Sequence, residues 1–165
     1  MEAGKALLVL GMTRAALDPA ASEPLAAPRQ LLEAVAGEIA YFRQRGRPVI
    51  FLVSGAAGAT PASLQEQLHP ALPVDPLDPL LPLPTISAFC RTGLGPLLEQ
   101  GSVDTVTLVG LRAHVEILFS AAEAVTRGLR ITVPAPCIAS ACSEDHEIAL
   151  RLIRRELMGA RRVEG

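Results

Sequence analysis

The sequence predicts an α/β domain built as a three-layer αβα sandwich, with a parallel β-sheet between two layers of helices. Four continuous apolar runs are typical of strands buried on both faces, and they cover residues 5–10, 48–53, 105–109 and 129–133. Amphipathic helical patterns lie between these runs or follow the last of them. Strands that alternate with helices favour right-handed crossovers, and therefore a parallel sheet.

Three helices are predicted from apolar spacing and from their end signals. The first covers residues 29–45 and precedes Gly46, and the second covers 114–127 and precedes Gly128. Glycine directly after the last helical residue is a common C-terminal cap. The third helix covers 143–157 and begins on a serine that we expect to be its N-cap.

Two segments interrupt this alternation of strands and helices. Residues 13–28 are predicted to form a loop. Residues 70–84 carry a proline at every third position, which matches one turn of a polyproline II helix. Two interpretations of the second segment stay open: a stiff surface loop that leads into the next strand, or a ligand for a proline-binding module.

Composition limits the classes of function. The 165 residues suit one domain over residues 1–165. A net charge of −2, no basic run and few aromatic residues argue against nucleic acid as a partner. No apolar run reaches the ~18 residues that cross a bilayer, and the first residues do not resemble a signal peptide. We therefore expect a cytoplasmic protein with no membrane partner.

Cysteine and histidine residues predict neither a disulfide framework nor a metal site. Cys90, Cys137 and Cys142 are odd in number and include no CxxC pair. The three histidines are scattered and lack the spacing of zinc ligands. We expect no metal and no other cofactor.

Four segments resemble, in order, the isochorismatase-like cysteine hydrolases, a family that includes nicotinamidases, N-carbamoylsarcosine amidases and isochorismatases. These segments are "ALLVLGMT" from Ala6, "LPTISAFCRTGL" from Leu83, "LVGLRAHVEILFSAAEAVTRG" from Leu108 and "CSEDHEIALRLI" from Cys142. The resemblance covers nearly the whole chain. It implies an isochorismatase-like fold with a Rossmann-like parallel sheet of about six strands. It also implies that residues 159–165 supply a short or frayed sixth strand.

The resemblance also implies where the catalytic groups of the family would stand. Amidases of the family use an Asp, a Lys and a nucleophilic Cys, and the Cys lies at a helix N-terminus that favours the thiolate. The corresponding residues of this chain are Gly11, Leu83 and Glu116, and none of them can perform the same step. A slip of the alignment would not restore the lysine, because Lys5 is the only lysine of the chain and lies in the first strand.

Six residues are expected to line the pocket of such a site, namely Gly11, Phe89, Cys90, Leu111, Arg112 and Glu116. Cys90 is either a reactive thiol or, as we expect, a small buried residue. In the family a non-proline cis peptide often precedes the helix, and the Leu111–Arg112 bond is the place to look for it. His114 is expected to support the structure.

Glu116 has three possible roles. It lies on a polar stripe with Ser120, Glu123 and Arg127, so it can be a partly solvated acid in the first turn of a helix. It can also bind a ligand, or act as a catalytic carboxylate.

Two hypotheses about function follow. The first is a pseudoenzyme that has lost hydrolase activity and acts by binding a small ligand or a protein, as a homodimer or a larger homo-oligomer. The alternative is a divergent hydrolase of a small amide, ester or enol ether that uses Glu116.

Overall fold

The computed structural model describes residues 4–158, which form a six-stranded parallel sheet with helices on both faces. The strands are β1 (Gly4–Leu10), β2 (Val49–Ser54), β3 (Leu80–Leu83), β4 (Val103–Leu111), β5 (Arg130–Thr132) and β6 (Ile138–Ala139). The helices are α1 (Arg14–Leu17), α2 (Pro28–Gln44), α3 (Pro61–Gln67), α4 (Leu94–Gln100), α5 (Leu118–Thr126) and α6 (Ser143–Leu152). A π-helical turn, Ala113–Ile117, leads into α5, and another, Ile153–Leu157, continues α6.

The order of the strands places a switch point beside β1. The sheet runs β3-β2-β1-β4-β5, and β6 pairs with the end of β4. The chain therefore builds outward from β1 to β3, then returns and adds β4 on the opposite side of β1. In open α/β sheets, the crevice beyond the carboxyl ends of the strands at such a point is the usual place for a ligand.

Alternate side chains of β1 face two separate cores. Leu7 and Val9 pack with Val35 and Ile39 of α2 on one face of the sheet. Leu8 and its neighbours on the other face pack with residues of α4, α5 and α6. Because both faces are covered, the strands read as continuous apolar runs, and the predicted three-layer fold is confirmed.

A glycine lets β1 and β4 end side by side. Gly110 has φ +130°, and a β-carbon on it would lie 2.0 Å from the carbonyl oxygen of Leu10. No L side chain fits such a contact, so glycine is required at this position. The close approach brings the residues that follow both strands to one place.

The four predicted strands and the C-terminal caps at Gly46 and Gly128 are confirmed, the glycines having φ +62° and +81°. Residues 13–28 are not all loop. Thr13 caps the short helix α1 by accepting a hydrogen bond from the Ala16 N–H at 3.2 Å, and Pro28 is the first residue of α2.

The expectation of a loop over residues 70–84 was wrong at its end, where β3 forms. Pro82 is tolerated there because β3 is the edge strand, so only one side of its backbone needs ladder hydrogen bonds. The expectation of Ser143 as N-cap was also wrong. Ser143 is the first helical residue, Cys142 holds the cap position, and no side chain accepts a capping hydrogen bond there.

The sixth strand expected at residues 159–165 falls outside the described residues. Within residues 4–158 the sixth strand is instead β6, whose Ile138 and Ala139 pair with Gly110 and Leu111 of β4. Two residues bounded by a 3₁₀ turn give no periodic signal, so a strand of this length could not be read from the sequence.

Candidate functional site

A cleft of about 850 Å³ opens where β1 and β4 end, at the switch point of the sheet. One wall comes from residues that follow β1, and the other comes from the turn before α5 and the segment before α6. The polar residues that line the cleft are Thr13, Ser22, Glu23, Ser54, Arg112, His114, Glu116, Ser140 and Asp145. A concave site with a few convergent polar groups is the usual form of a binding pocket.

Glu116 lies at the base of this cleft. Only 5% of the residue is exposed, although it stands in the first turn of a helical segment. Its Oε1 accepts a hydrogen bond from Nη1 of Arg112 at 3.0 Å, and its Oε2 has no hydrogen-bond partner among residues 4–158. Oε2 lies beside Gly11, 3.0 Å from the point that a β-carbon would occupy. The expectation of a partly solvated acid is therefore wrong.

Burial raises the pKa of the Glu116 carboxyl above its ordinary value. The positive charge and the hydrogen bond of Arg112 act in the opposite direction, but they offset only part of that effect. The side chain of Arg112 is 58% exposed, so water weakens its attraction for the carboxylate. The site therefore holds a carboxyl that takes up a proton more readily than a surface glutamate does.

Arg112 holds the turn between β4 and the helical segment in an unusual backbone conformation. Its φ and ψ are +52° and +56°, in the left-handed region that non-glycine residues seldom adopt. The Leu111–Arg112 peptide is trans, as are the other peptide bonds of residues 4–158. The cis peptide expected at this bond is therefore not formed, and Arg112 adopts a left-handed conformation there.

The structure brings together four of the six residues expected in the pocket. Gly11, Leu111, Arg112 and Glu116 line the cleft. Phe89 and Cys90 are not among its lining residues. Phe89 is buried in the core on one face of the sheet, where the guanidinium of Arg127 lies 5.0 Å from the centre of its ring. Cys90 is exposed, so the expectation that it is a small buried residue was wrong.

Leu83, at the position that the resemblance assigns to the lysine, also lies outside the cleft lining. It is the last residue of β3, and only 4% of it is exposed. Its side chain belongs to the apolar core with Leu52, Ala88 and Leu94. A charged side chain at this position would have to be buried among hydrocarbon groups.

The polar stripe below Glu116 anchors the segment that follows β3. The hydroxyl of Ser120, which is fully buried, accepts a hydrogen bond from the Ala88 N–H at 2.9 Å. The hydroxyl of Ser87 donates to the carboxylate of Glu123, which also accepts from Arg127. Burial alone would raise the pKa of Glu123, but these hydrogen bonds outweigh it and lower the pKa.

Three polar side chains on the second wall were not recognised from the sequence as a group. The His114 ring lies between two partners: its Nδ1 is 2.9 Å from Oγ of Ser140, and its Nε2 is 3.7 Å from Oδ2 of Asp145. Ser140 follows β6 and Asp145 lies in the first turn of α6. They meet His114 because β6 pairs with the end of β4 at Leu111 and Ala139. No local sequence pattern predicts the pairing of β6 with β4.

The thiols differ in accessibility. Cys142 lines the cleft and is exposed, whereas Cys137 is buried. Burial raises the pKa of the Cys137 thiol to about 11, so it stays protonated and unreactive near neutral pH.

No group of three or more metal-ligating side chains occurs within residues 4–158. Over the same range, no helix has both the length and the apolar character needed to cross a membrane.

A family model described as the Isochorismatase domain matches residues 5–162, which is nearly the whole chain. The chain belongs to the isochorismatase family. Among curated isochorismatase-family relatives, the uncharacterized protein YaaI of Bacillus subtilis is 39% identical over 74 residues, 45% of this chain and 41% of that protein. A maleamate amidohydrolase of Pseudomonas putida is 41% identical over 64 residues, 39% of this chain and 30% of that protein. Both matches thus span less than half of the relative's length.

Solved structures show the same isochorismatase-family fold. A nicotinamidase from Bacillus subtilis superposes with a TM-score of 0.81 at 20% identity, covering 93% of this chain and 96% of that one. An isochorismatase family protein from Desulfovibrio vulgaris superposes with a TM-score of 0.83 at 18% identity, covering 93% and 90%. At these identities the likeness extends to the fold and not to the chemistry of the cleft.

Proposed function

We propose that this isochorismatase-family chain binds a small ligand in the cleft and does not carry out the cysteine-dependent hydrolysis of amides. The observation that carries the proposal is Glu116, which stands where the resemblance places the nucleophilic cysteine and lies against Gly11. A carboxylate attacks an amide carbon poorly in comparison with a thiolate. Its negative charge also opposes the charge that develops on a substrate carbonyl oxygen.

The free oxygen of Glu116 supports a binding role. Oε2 has no hydrogen-bond donor from the described residues, and Glu116 lines the cleft. A ligand that donates an N–H or O–H to Oε2 would make a charge-assisted hydrogen bond with a carboxylate that is already largely withdrawn from water. Gly11 leaves the space for such a group, because a side chain there would meet Oε2.

The test is a thermal-shift screen of small polar compounds, followed by calorimetry on those that stabilise the protein. Binding should be lost or weakened at least tenfold in Glu116→Ala and unchanged in Glu33→Ala, which removes an exposed glutamate of α2. Nicotinamide, maleamate and other small amides should not be turned over. Release of ammonia that disappears in Glu116→Ala would overturn the proposal.

A second candidate function is supported by the raised pKa of Glu116. A carboxyl that keeps its proton to a higher pH than a surface glutamate can act as a general acid, and cleavage of an enol ether needs a proton donor. This function requires turnover of isochorismate or a similar enol ether. Glu116→Gln should then abolish turnover while the protein still binds the substrate.

The homodimer implied by the resemblance stays a prediction. Apolar side chains that could form its interface are exposed on α5 and α6, and they include Phe119, Ile148 and Leu152. These helical segments pack beside each other on the same face of the sheet. We propose that a second copy of the chain covers these side chains.

A further inference from the structure

A second group of polar side chains lies on the wall of the cleft, separate from Glu116 and Gly11. It consists of Ser140, His114 and Asp145, which contact one another in that order. Ser140 Oγ lies 2.9 Å from His114 Nδ1, and Asp145 Oδ2 lies 3.7 Å from His114 Nε2. All three residues line the cleft. A hydroxyl, an imidazole and a carboxylate in this order are the parts of a serine nucleophile with its base and an orienting acid.

We propose that these three residues form an acyl-transfer centre that hydrolyses small esters in the cleft. This goes beyond ligand binding, because it assigns a reaction to the same cavity. It also differs from the cysteine chemistry implied by the resemblance, since the nucleophile is Ser140, which follows β6, and not the residue at position 116. The recognition of hydrolytic sites rests on geometry and roles, not on position in the chain.

The electrostatics favour the correct tautomer of His114. A neutral imidazole carries its proton on one nitrogen and accepts a hydrogen bond on the other. The carboxylate of Asp145 faces Nε2 and favours the proton there, which leaves Nδ1 free to accept the proton of the Ser140 hydroxyl. Asp145 also stabilises the imidazolium that forms when Ser140 gives up its proton.

The reaction proceeds in two balanced steps. In the first, Ser140 Oγ bonds to the ester carbonyl carbon as its proton passes to His114; the carbon–oxygen bond to the alcohol breaks, and the alcohol leaves with that proton. In the second, water attacks the acyl-serine and gives a proton to His114. The acid leaves as Ser140 takes that proton back. The cleft is open to solvent, so water can reach the acyl group.

Backbone amides at the start of α6 are the donors available for the carbonyl oxygen. The helix begins at Ser143, shortly after Ser140, and no side chain caps it. Its N-cap residue, Cys142, lines the same cleft. Unpaired N–H groups at a helix N-terminus attract a developing negative charge.

The distance between His114 and Asp145 also indicates which class of substrate the site can hydrolyse. At 3.7 Å the contact between His114 and Asp145 is longer than a hydrogen bond, and both side chains are partly exposed. The carboxylate therefore orients the imidazole only loosely. Esters with good leaving groups need little help from the base, whereas amides need much more. We expect activity on small activated esters and none on amides.

The experiment measures hydrolysis of p-nitrophenyl acetate and butyrate by the full chain, with Ser140→Ala, His114→Ala and Asp145→Asn. Loss of the nucleophile should reduce the rate to the uncatalysed background. Loss of the base should reduce it on the order of 100-fold, and loss of the acid should reduce it less. Ser63→Ala, which alters an exposed serine of α3 away from the cleft, is the matched control and should leave the rate unchanged. Thermal unfolding of each variant shows whether it is folded.

Labelling identifies the nucleophile independently of turnover. A fluorophosphonate probe followed by peptide mass spectrometry should modify Ser140 in the unaltered protein and not in folded His114→Ala. Ester hydrolysis that persists in folded Ser140→Ala, or acylation found on Cys142, would overturn the inference.

If Ser140→Ala retains ester hydrolysis but ligand binding still depends on Glu116, the inference fails and the proposed function stands. The reverse pattern, ester hydrolysis dependent on Ser140 with no ligand bound through Glu116, would leave the inference standing alone.

Discussion

The free carboxylate oxygen of Glu116 lies 3.0 Å from the point that a β-carbon on Gly11 would occupy. The two residues come from different segments, Gly11 directly after β1 and Glu116 from the turn that leads into α5. They meet because β1 and β4 are neighbours and end together. Each residue therefore restricts the side chains that the other position can accommodate.

Replacing Gly11 by aspartate should therefore be costly for two separable reasons. The left-handed backbone at φ +68° costs a non-glycine residue about 1–2 kcal/mol, and the new side chain would meet Glu116. Gly46→Asp is a matched control, because Gly46 has φ +62° but no atom near its β-carbon position. Urea unfolding should show a larger loss of stability for Gly11→Asp than for Gly46→Asp.

A double-mutant cycle isolates the second reason. In a Glu116→Ala background, the excess cost of Gly11→Asp over Gly46→Asp should disappear, since the opposing carboxylate is gone. If Gly11→Asp still costs more stability than Gly46→Asp in this background, the contact between positions 11 and 116 does not cause the difference.

The raised pKa of Glu116 makes stability depend on pH. The folded state holds the Glu116 proton to higher pH than the unfolded state does, so as pH rises through this window the ionising carboxylate destabilises the folded chain. Glu116→Gln has no such ionisation. The stability of Glu116→Gln relative to the unaltered protein should therefore rise between about pH 4 and about pH 7.

Urea unfolding at both pH values measures this difference, and Glu33→Gln controls for the loss of one negative charge. A relative stability of Glu116→Gln that falls as pH rises would contradict the direction assigned to the pKa of Glu116.

The buried hydroxyl of Ser120 should matter more to stability than its size suggests. Ser120→Ala leaves the Ala88 N–H without its acceptor in the interior, which costs about 1–3 kcal/mol. Ser63→Ala, at an exposed position of α3, should change the free energy of unfolding by less than about 0.5 kcal/mol. Equal effects of the two substitutions in urea would show that Ser120 does not anchor the segment after β3.

Self-association through α5 and α6 can be tested by placing a charge on the exposed apolar side chains. Phe119→Asp should convert a dimer into a monomer in analytical ultracentrifugation, because an interface would have to bury the new charge. Leu77→Asp is the control, since Leu77 is 91% exposed but lies in the loop before β3. A monomer before any substitution, or a dimer that survives Phe119→Asp, would contradict the prediction.

The sheet could be predicted from the sequence because its strands are buried on both faces and leave continuous apolar runs. The short elements could not. Thr13 caps a single turn of helix, and β6 is only Ile138 and Ala139, so neither has a periodicity to detect.

Cleft-lining positions were predictable where residues follow strands directly, as Gly11 and Arg112 do. The burial of Glu116 was not, because helical spacing groups it with exposed residues and says nothing about the cleft beside it. Ser140 and Asp145 were missed because they reach His114 only through pairing of β6 with β4, a tertiary contact without a local signal.

The two walls of the cleft include stretches that are far apart in the chain, residues 13–25 in one and residues 140–145 in the other. A molecule that contacts both walls would tie these two stretches together. Its occupancy should slow amide hydrogen exchange in both stretches together, so that two remote parts of the chain report a single event.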